Sequence, residues 1–421
     1  MCEIYGCYDI VVVGAGPTGI CAAVSAARQG YSTVLVERYG VIGGNLTLGH
    51  VRTCLGNVSQ GSMAYEVLDL LGVTAENPLH DTELAKILLT SWVKQSGCTV
   101  LLQTPVVEVY KINGQLKGVY ISTPLGIRLI KGKIIIDATG DGTVASLSGV
   151  PFRMGRAIDQ LMQPASVMFS LSNIKPGSLI CRHEEDDSAV RGKSFLAMCR
   201  QAEESGELPK NVTVVRLYGK KESNERLVNA TQQNYVNGLC LDDIFASQVS
   251  LFTQIEKVTK FLVNNVPGYE NAKLSGISNI VGFRETRRIE GAYCLTSADI
   301  EKGARFDDVV VHRALFCFDI HNPDGGGQAE SMEQATKAQS YDIPYRCMIP
   351  KVVDGLIVAG RCISGTHRAH SSYRVMNICM AMGQAAGIAA SIAVALNCPP
   401  RRVPVKEIQL ALKAVGVDLF S

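Results

Sequence analysis

Apolar residues in this chain come in short runs that stop at glycine. Residues 10–13 read Ile-Val-Val-Val, a β-branched run without polar interruption, which predicts a strand buried on both faces. Gly14 follows at once, and an alanine-rich stretch predicts a helix from Pro17 to Gln29 with Gly30 as its stop. A second run, Thr33 to Val36, ends in Glu37. The pattern of apolar strand and small-residue turn occurs twice more. Lys133 to Asp137 leads into Ala138-Thr139-Gly140-Asp141-Gly142, and Gly355 to Ala359 leads into Gly360-Arg361. Residues 105–130 alternate apolar and polar about Asn113-Gly114, which predicts a hairpin. A helix of small residues, containing Gly383 and Gly387, is predicted from Asn377 to Ala395.

These elements predict an α/β fold: a Rossmann-like dinucleotide-binding domain interrupted by an inserted α+β substrate or cap domain. The first part of the binding domain is expected over residues 1–150 and the second over 276–421. Residues 151–275 between them differ in character. Ser166 to Leu171 and Val212 to Leu217 read as strands, Asp242 to Asn264 as a long helix ended by Pro267-Gly268, and Cys181 to Asp187 as a charged loop.

The first fifty residues carry a chemical signature. Gly14-Ala15-Gly16-Pro17-Thr18-Gly19 joins strand to helix, and Glu37 closes the next strand 18 residues past the last glycine. Gly14 permits the tight turn, Gly16 lets the backbone approach a pyrophosphate, and Gly19 lets helix and strand lie close. The free N–H groups and positive end of the helix favour phosphate. Glu37 is suited to accept hydrogen bonds from ribose hydroxyls.

NAD and FAD share this fingerprint. An NAD domain is usually complete within one contiguous stretch, whereas extended FAD collects contacts from distant segments. Three segments have that form. Gly43-Gly44, six residues past Glu37, lets backbone amides approach a phosphate or the flavin edge. The strand ends at Thr139-Gly140-Asp141 and at Gly360 are the second and third. The helix after Gly360 points its N-terminus where a flavin carbonyl would gain from it.

The stretches VVVGAGPTGICAA, VERYGVIGG, IIDATGDGTVA, VGFRETRRIEGAY, YDIPYRCMIP and LIVAGRCISGTHRAHSSYRVMNICMAMGQAAG run in order from residue 9 to about residue 395. As a set they resemble the FAD-dependent oxidoreductases of the glutathione-reductase-like superfamily, and more narrowly a large bacterial family of them. The chain looks distantly similar to fumarate-reductase and ketosteroid-dehydrogenase flavoproteins. The resemblance implies FAD and no particular substrate. The residues expected to hold it are Gly14, Gly16, Pro17, Thr18, Gly19, Glu37, Arg38, Gly43, Gly44, Val107, Thr139, Gly140, Asp141, Gly360, Arg361, Met376 and Asn377. The extended pose of FAD makes His50 an unsuitable covalent anchor, so the flavin is expected to be non-covalent. Many relatives in the wider superfamily carry an acid at the position of Arg361. A salt bridge to pyrophosphate and a place at the border of the site are both open to that arginine.

The flavin carries the electron chemistry, so protein groups near its reactive edge supply orientation and proton handling. The interval Gly365–Arg374, between the last strand and its helix, should run along the ring. His370 is the candidate to move a proton, and Arg374 to hold a carboxylate or enolate oxygen. Arg284, within Arg284-Glu285-Thr286-Arg287-Arg288, is the third catalytic candidate; a helix start with solvated charges is the bland alternative for that segment. His321 to Gly327 reads as a loop able to cover the site. Tyr345 and Arg346 are expected to enter a strand, with Arg346 a weaker anion-binding candidate.

Composition narrows the partners. The 421 residues hold 41 basic and 39 acidic groups, a net charge near +2, and 6% are aromatic. That balance offers no electrostatic footing for nucleic acid or an anionic membrane. The fourteen cysteines include no C-x-x-C pair, and no metal-ligand spacing recurs, so no metal is expected. No secretory signal is visible at the start, and a cytoplasmic setting with free thiols is expected. The leading reading is a flavoenzyme that dehydrogenates or reduces a small organic substrate by hydride transfer at flavin N5. The alternatives are a thiazole-synthase-like protein and a flavin electron-transfer subunit. There is no second glycine fingerprint for a nicotinamide domain, which leaves room for a separate electron donor or acceptor.

Overall fold

The computed structural model of the chain describes residues 3–75, 77–181 and 188–420. Strand β1 (Glu3–Val13) leads into helix α1 (Pro17–Arg28) and returns to β2 (Thr33–Val36). The strands β3 (Thr99–Leu101), β4 (Val106–Ile112), β5 (Gln115–Thr123) and β6 (Gly126–Asp137) follow. Together with a late strand, β11 (Leu356–Val358), they make one seven-stranded sheet.

Register decides what this sheet can do. β1 pairs in parallel with β2 and with β6, and β6 pairs in parallel with β11. In these pairings Val13 stands beside Val36 and beside Asp137, and Asp137 stands beside Val358. Four strands therefore end level, and the turns after them share one edge. β6 serves two purposes: its first half pairs antiparallel with β5, its second half with β11. The hairpin predicted about Asn113-Gly114 is β4–β5.

Alternation along β1 builds three layers. Ile10 and Val12 face the helical side, in one core with α1 and with the long helix α4 (Met376–Ala395). Val11 and Val13 face the opposite side, packed against Leu116, Val119, Ile121 and Ile130 of the meander. The sheet is buried on both faces, as the unbroken apolar run of β1 requires.

α1 and α4 touch backbone to backbone. A Cβ on Gly383 would lie 2.1 Å from the carbonyl oxygen of Thr18, and one on Gly387 2.4 Å from that of Ala22. Ser25 adds a hydroxyl bond to the Gln384 carbonyl at 3.0 Å. α4 is also long and apolar enough to cross a membrane, and 83% of its most apolar window is buried inside the protein.

A second core lies in the inserted region. Strands β7 (Phe169–Ser172), β8 (Arg216–Tyr218), β9 (Arg226–Asn229) and β10 (Lys273–Ile277) form an antiparallel sheet in the order β8-β9-β7-β10. Helix α2 (Leu241–Asn265) packs Leu251, Ile255, Val258 and Phe261 against it. The chain leaves and re-enters through two short ribbons. Phe152–Arg153 pairs with Arg288–Ile289, and Ala165–Ser166 with Gly282–Phe283.

Three expectations change. The strand expected over Ser166 to Leu171 is broken in two, because Ala165–Ser166 pairs with the return ribbon while Phe169–Ser172 joins the cap sheet. The strand expected from Val212 begins only at Arg216; the buried valines before it are irregular. Tyr345–Cys347 is a single 3₁₀ turn after the strand Tyr341–Pro344, not the start of a strand. Of the charged loop expected at Cys181 to Asp187, residues 182–187 lie outside the described residues.

Gly383→Ala tests the helix contact by the sign of its effect. Helix propensity alone favours alanine by about 1 kcal/mol. Contact with the Thr18 carbonyl should outweigh that, by about 1–3 kcal/mol of overpacking. Urea denaturation of wild type and variant should show a lowered midpoint; a raised midpoint would mean the helices do not touch there.

Candidate functional site

The level strand ends gather most of the expected cofactor residues. Gly14 adopts φ +92°, and a Cβ there would meet Ala138 and Thr139 backbone. A Cβ on Gly19 would strike the Gly14 carbonyl. Both glycines are demanded by the protein itself. Gly16 is different, because a Cβ there would meet nothing within 4 Å. Its smallness answers to no protein atom, which is what a ligand pressed against the turn would produce.

The surroundings of Gly16 suit a dinucleotide. It is the N-cap of α1 with no side-chain cap, Pro17 stands in the first turn, and no acidic residue does. The amides of that turn are therefore open to phosphate. Gly43 donates its N–H to Ala15 O at 2.7 Å, and a Cβ on Gly44 would lie 3.0 Å from Gly16 Cα. The glycine pair thus lies against the fingerprint turn. Glu37, buried at the end of β2, accepts from the N–H groups of Ala15 at 2.6 Å and Tyr39 at 2.9 Å. A carboxylate has about four acceptor positions, so capacity for a ribose remains. Thr18 Oγ1 backs Gly360, whose φ of +90° admits little but glycine.

After β6, Asp137 holds the turn. It is fully buried and accepts from Thr139 N, Thr139 Oγ1 and Ala145 N at 2.7–3.1 Å. Burial pushes its carboxyl up, against the pull of these bonds. Asp141, four residues on, collects cations. Arg361 pairs with it, Arg38 approaches to 3.6 Å, Thr286 donates at 2.9 Å, and Arg287 donates to its carbonyl at 3.2 Å. Arg361 also donates to Gly140 O at 2.8 Å and to Phe283 O. Its guanidinium braces the strand-end loops, so of the two roles open to it the bordering one fits the geometry. Arg38 is exposed and stacks on Tyr39.

Met376 and Asn377 begin α4, whose N-terminus has no side-chain cap. Asn377 Nδ2 donates to Gly56 O at 2.8 Å and Cys54 O at 3.4 Å, which fixes the amide orientation. Its Oδ1 is buried without a protein partner. An N–H of a flavin ring would satisfy that acceptor. Val107 is the exception in the set. Its side chain is 41% exposed on β4, so a cofactor contact would fall to its backbone.

The catalytic candidates come from two segments. His370 lies in helix α3 (His367–Tyr373), buried, with Nδ1 lacking a partner. Burial, Arg288 and Arg374 hold its pKa well below the ordinary histidine value. That shift favours the neutral imidazole, a form suited to hydrogen bonding with a ligand. Arg374 Nη2 donates to Asp319 Oδ2 at 2.9 Å and to Asp319 O at 2.9 Å. Both donations use Nη2, and Nε is buried without a partner, so donors remain for a substrate oxygen. Arg284 follows the return ribbon and donates to Pro164 O at 2.7 Å.

The solvated-helix alternative for residues 284–288 does not hold. Glu285 and Arg288 are buried and paired with each other, and His367 Nδ1 lies 2.9 Å from Glu285 Oε2. Arg346 lies away from this cluster, exposed and paired with Asp308 at 2.8 Å. His50 is half-buried with φ +51°, and its ring faces Gly276 of β10. Sequence reasoning missed Asp319, Gln163 and Arg216. They meet the candidates only in the folded chain, and no local spacing marks them.

A family model described as FAD dependent oxidoreductase matches residues 9–412, and the chain belongs to that family. It is 30% identical over 157 residues to a thiamine thiazole synthase of Aeropyrum pernix, covering 33% of this chain and 56% of that one. It is 25% identical over 155 residues to a digeranylgeranylglycerophospholipid reductase of Thermoplasma acidophilum, covering 32% and 39%. The chain thus spans about half the length of these relatives or less. A solved geranylgeranyl bacteriochlorophyll reductase-like protein of Thermoplasma acidophilum aligns with 97% of this chain and 83% of its own. That alignment has a TM-score of 0.49 and 13% identity. The similarity expected to fumarate-reductase and ketosteroid-dehydrogenase flavoproteins gives way here to thiazole synthases and prenyl reductases.

Gly16→Val should fold as wild type, since an added Cβ meets no protein atom within 4 Å, and should purify without flavin colour. The check is flavin absorbance per protein beside circular dichroism; full flavin content would place the pyrophosphate elsewhere. His370 also sets a pH dependence. Above about pH 6.5 it is neutral folded and unfolded. Below that the unfolded chain binds a proton that the folded one refuses, so stability falls with pH, by about 1.4 kcal/mol per unit. His370→Gln should shrink the loss of stability between pH 7.5 and 5 by about 1–2 kcal/mol in urea titrations, if the imidazole is held neutral.

Proposed function

We propose that this FAD-dependent oxidoreductase dehydrogenates or reduces a small organic substrate by hydride transfer at flavin N5. The observation that carries the reading is the convergence of Arg284, His370 and Arg374 beneath a cap with its own core. Arg284 and Arg374 lie about 90 residues apart in the sequence, yet the charge of Arg374 acts on Arg284. Such a convergence of polar groups under a cover excludes water from one small volume, as substrate chemistry at a flavin needs.

The fingerprint turn, Glu37, Gly43-Gly44 and the loops after β6 and β11 are the residues that would hold FAD. When bound, FAD supplies the hydride acceptor or donor. The chain's own part is binding and orientation. Arg284 offers a cation toward the substrate side. His370, neutral, offers a hydrogen bond through its unpartnered nitrogen. Asp319 and Gln163 position Arg374. The Thermoplasma relative is by name a reductase, which supports the reductive direction. The thiazole-synthase reading has the weaker support, because that similarity spans 33% of the chain whereas the oxidoreductase family model matches residues 9–412. An electron-transfer subunit would have no use for an enclosed polar cluster.

The experiment is anaerobic reduction of the bound flavin, followed by a screen of small organic oxidants for reoxidation. Rapid return of the flavin spectrum with one compound class is the expected result. Reoxidation by protein electron carriers alone would favour the electron-transfer subunit. Acid precipitation before the screen should release the yellow colour into the supernatant; colour in the pellet would contradict non-covalent FAD.

A further inference from the structure

We propose that Arg284 heads a binding pocket for a carboxylate, and that the organic acid bearing it lies in the adjoining groove of the cap. The proposal rests on the functional reading only in naming that acid as the substrate class. The site itself stands on the geometry of the cap.

Arg284 is a guanidinium with five N–H donors. Among the described residues its hydrogen bonding is to one carbonyl, that of Pro164, and no carboxylate lies within ion-pair reach. Asp319, whose charge does act on it, is already paired with Arg374 at 2.9 Å and stands 3.5 Å from His321. One carboxylate cannot neutralise both arginines. Burial and the neighbouring Arg374 push Arg284 down to about 9, the response of a cation that lacks a counter-charge.

The space beside Arg284 has the size for a head group and no more. A cavity of about 10 Å³ is lined by Arg216, Arg284, His321, Asn229, Thr231 and Gln232. It holds about one water. A carboxylate oxygen is the size of a water and could sit there against the arginine fork, whereas a phosphate brings two further oxygens that ask for more room. Outside lies a groove of about 460 Å³, the size of a small-molecule site, bordered by Lys210, Lys257 and Tyr235.

Asn211 and Gln232 line both spaces, so they form the partition. Gln232 Nε2 donates to Gly325 O at 2.6 Å, and Asn234 Nδ2 to Asn322 O at 2.8 Å. These bonds tie the loop His321–Gly327 to the partition. The loop expected to cover the site thus borders the head-group pocket and is fastened to the wall of the outer groove.

The test titrates the FAD-loaded protein with acetate, acetamide and inorganic phosphate at constant ionic strength. It reads the thermal midpoint and the flavin difference spectrum. Acetate should raise the midpoint and perturb the spectrum, while acetamide and phosphate at equal concentration should do neither. Arg284→Gln should weaken acetate roughly 10- to 100-fold, the worth of one charged hydrogen bond. Without acetate that variant should melt no lower than wild type, because an unpaired cation has been removed. Arg284→Lys should fall between the two. Two results would overturn the site: acetamide acting as well as acetate, or Arg284→Gln melting lower while responding to acetate as before. Neither readout needs turnover. Acetate binding without any reoxidation by organic acids would leave the pocket and remove the substrate assignment. Turnover of neutral compounds with no acetate response would remove the pocket and leave the oxidoreductase reading.

Discussion

Everything at the cofactor side depends on one constraint, the hydrogen-bond register that brings β1, β2, β6 and β11 to a common end. Val13, Val36, Asp137 and Val358 are neighbours in that register. A slip of one residue in any pairing would move its turn by about 3.3 Å and turn its side chains to the other face. The register is safe because both faces of these strands are buried. Polar residues have no place to go, so only one alignment satisfies both cores. The backbone contact of α1 with α4 then fixes the helix whose N-terminus meets those turns.

Charge is distributed under the same discipline. Three carboxylates of the site are paired: Asp141 with Arg38 and Arg361, Glu285 with the nearby Arg288 and the distant His367, Asp319 with Arg374. These pairs join segments separated by as many as 220 residues, so they tie the return of the chain to its departure. Buried pairs contribute little net stability, because desolvation offsets most of the attraction. Their value lies in geometry, since breaking one strands its partner. Arg361 illustrates this. It donates to Gly140, Phe283 and Asp141, so it holds two strand-end loops and the return ribbon in place.

The cofactor half of the site was legible in the sequence because it is made of backbone. Turns at positive φ, close approach and open helix ends all require glycine or small residues, and those requirements appear as local spacing. Gly14, Gly19, Gly43, Gly44 and Gly360 are where the pattern placed them. Val107 was less informative, since its side chain faces solvent. The substrate half was not legible, because it is made of side chains brought together by the cap. Gln163, Arg216 and Asp319 have no shared local pattern. His370 was found by position, but its charge state depends on Arg288 and Arg374, and no window of sequence shows them around it. Residues 284–288 looked like a solvated helix start because a local window does not show burial; beyond the Glu285–Arg288 pair, their partners lie at Asp141, Pro164 and His367.

The two halves also differ in what holds them ready. The fingerprint turn has its conformation imposed by contacts with Ala138 and Thr139, so it is formed before any ligand arrives. The cap side keeps an unbalanced cation, and that arrangement costs stability while it is empty. A fold sustains such a cost where a ligand relieves it, because the relief then appears as binding energy. Placing the unbalanced group at Arg284 gives it two connections. It follows directly on the ribbon residue Phe283, whose carbonyl Arg361 holds, and it donates to Pro164 beside the paired Ala165. Phe283 and Arg284, adjacent in sequence, thus stand between the cap-side pocket and the loops at the strand ends.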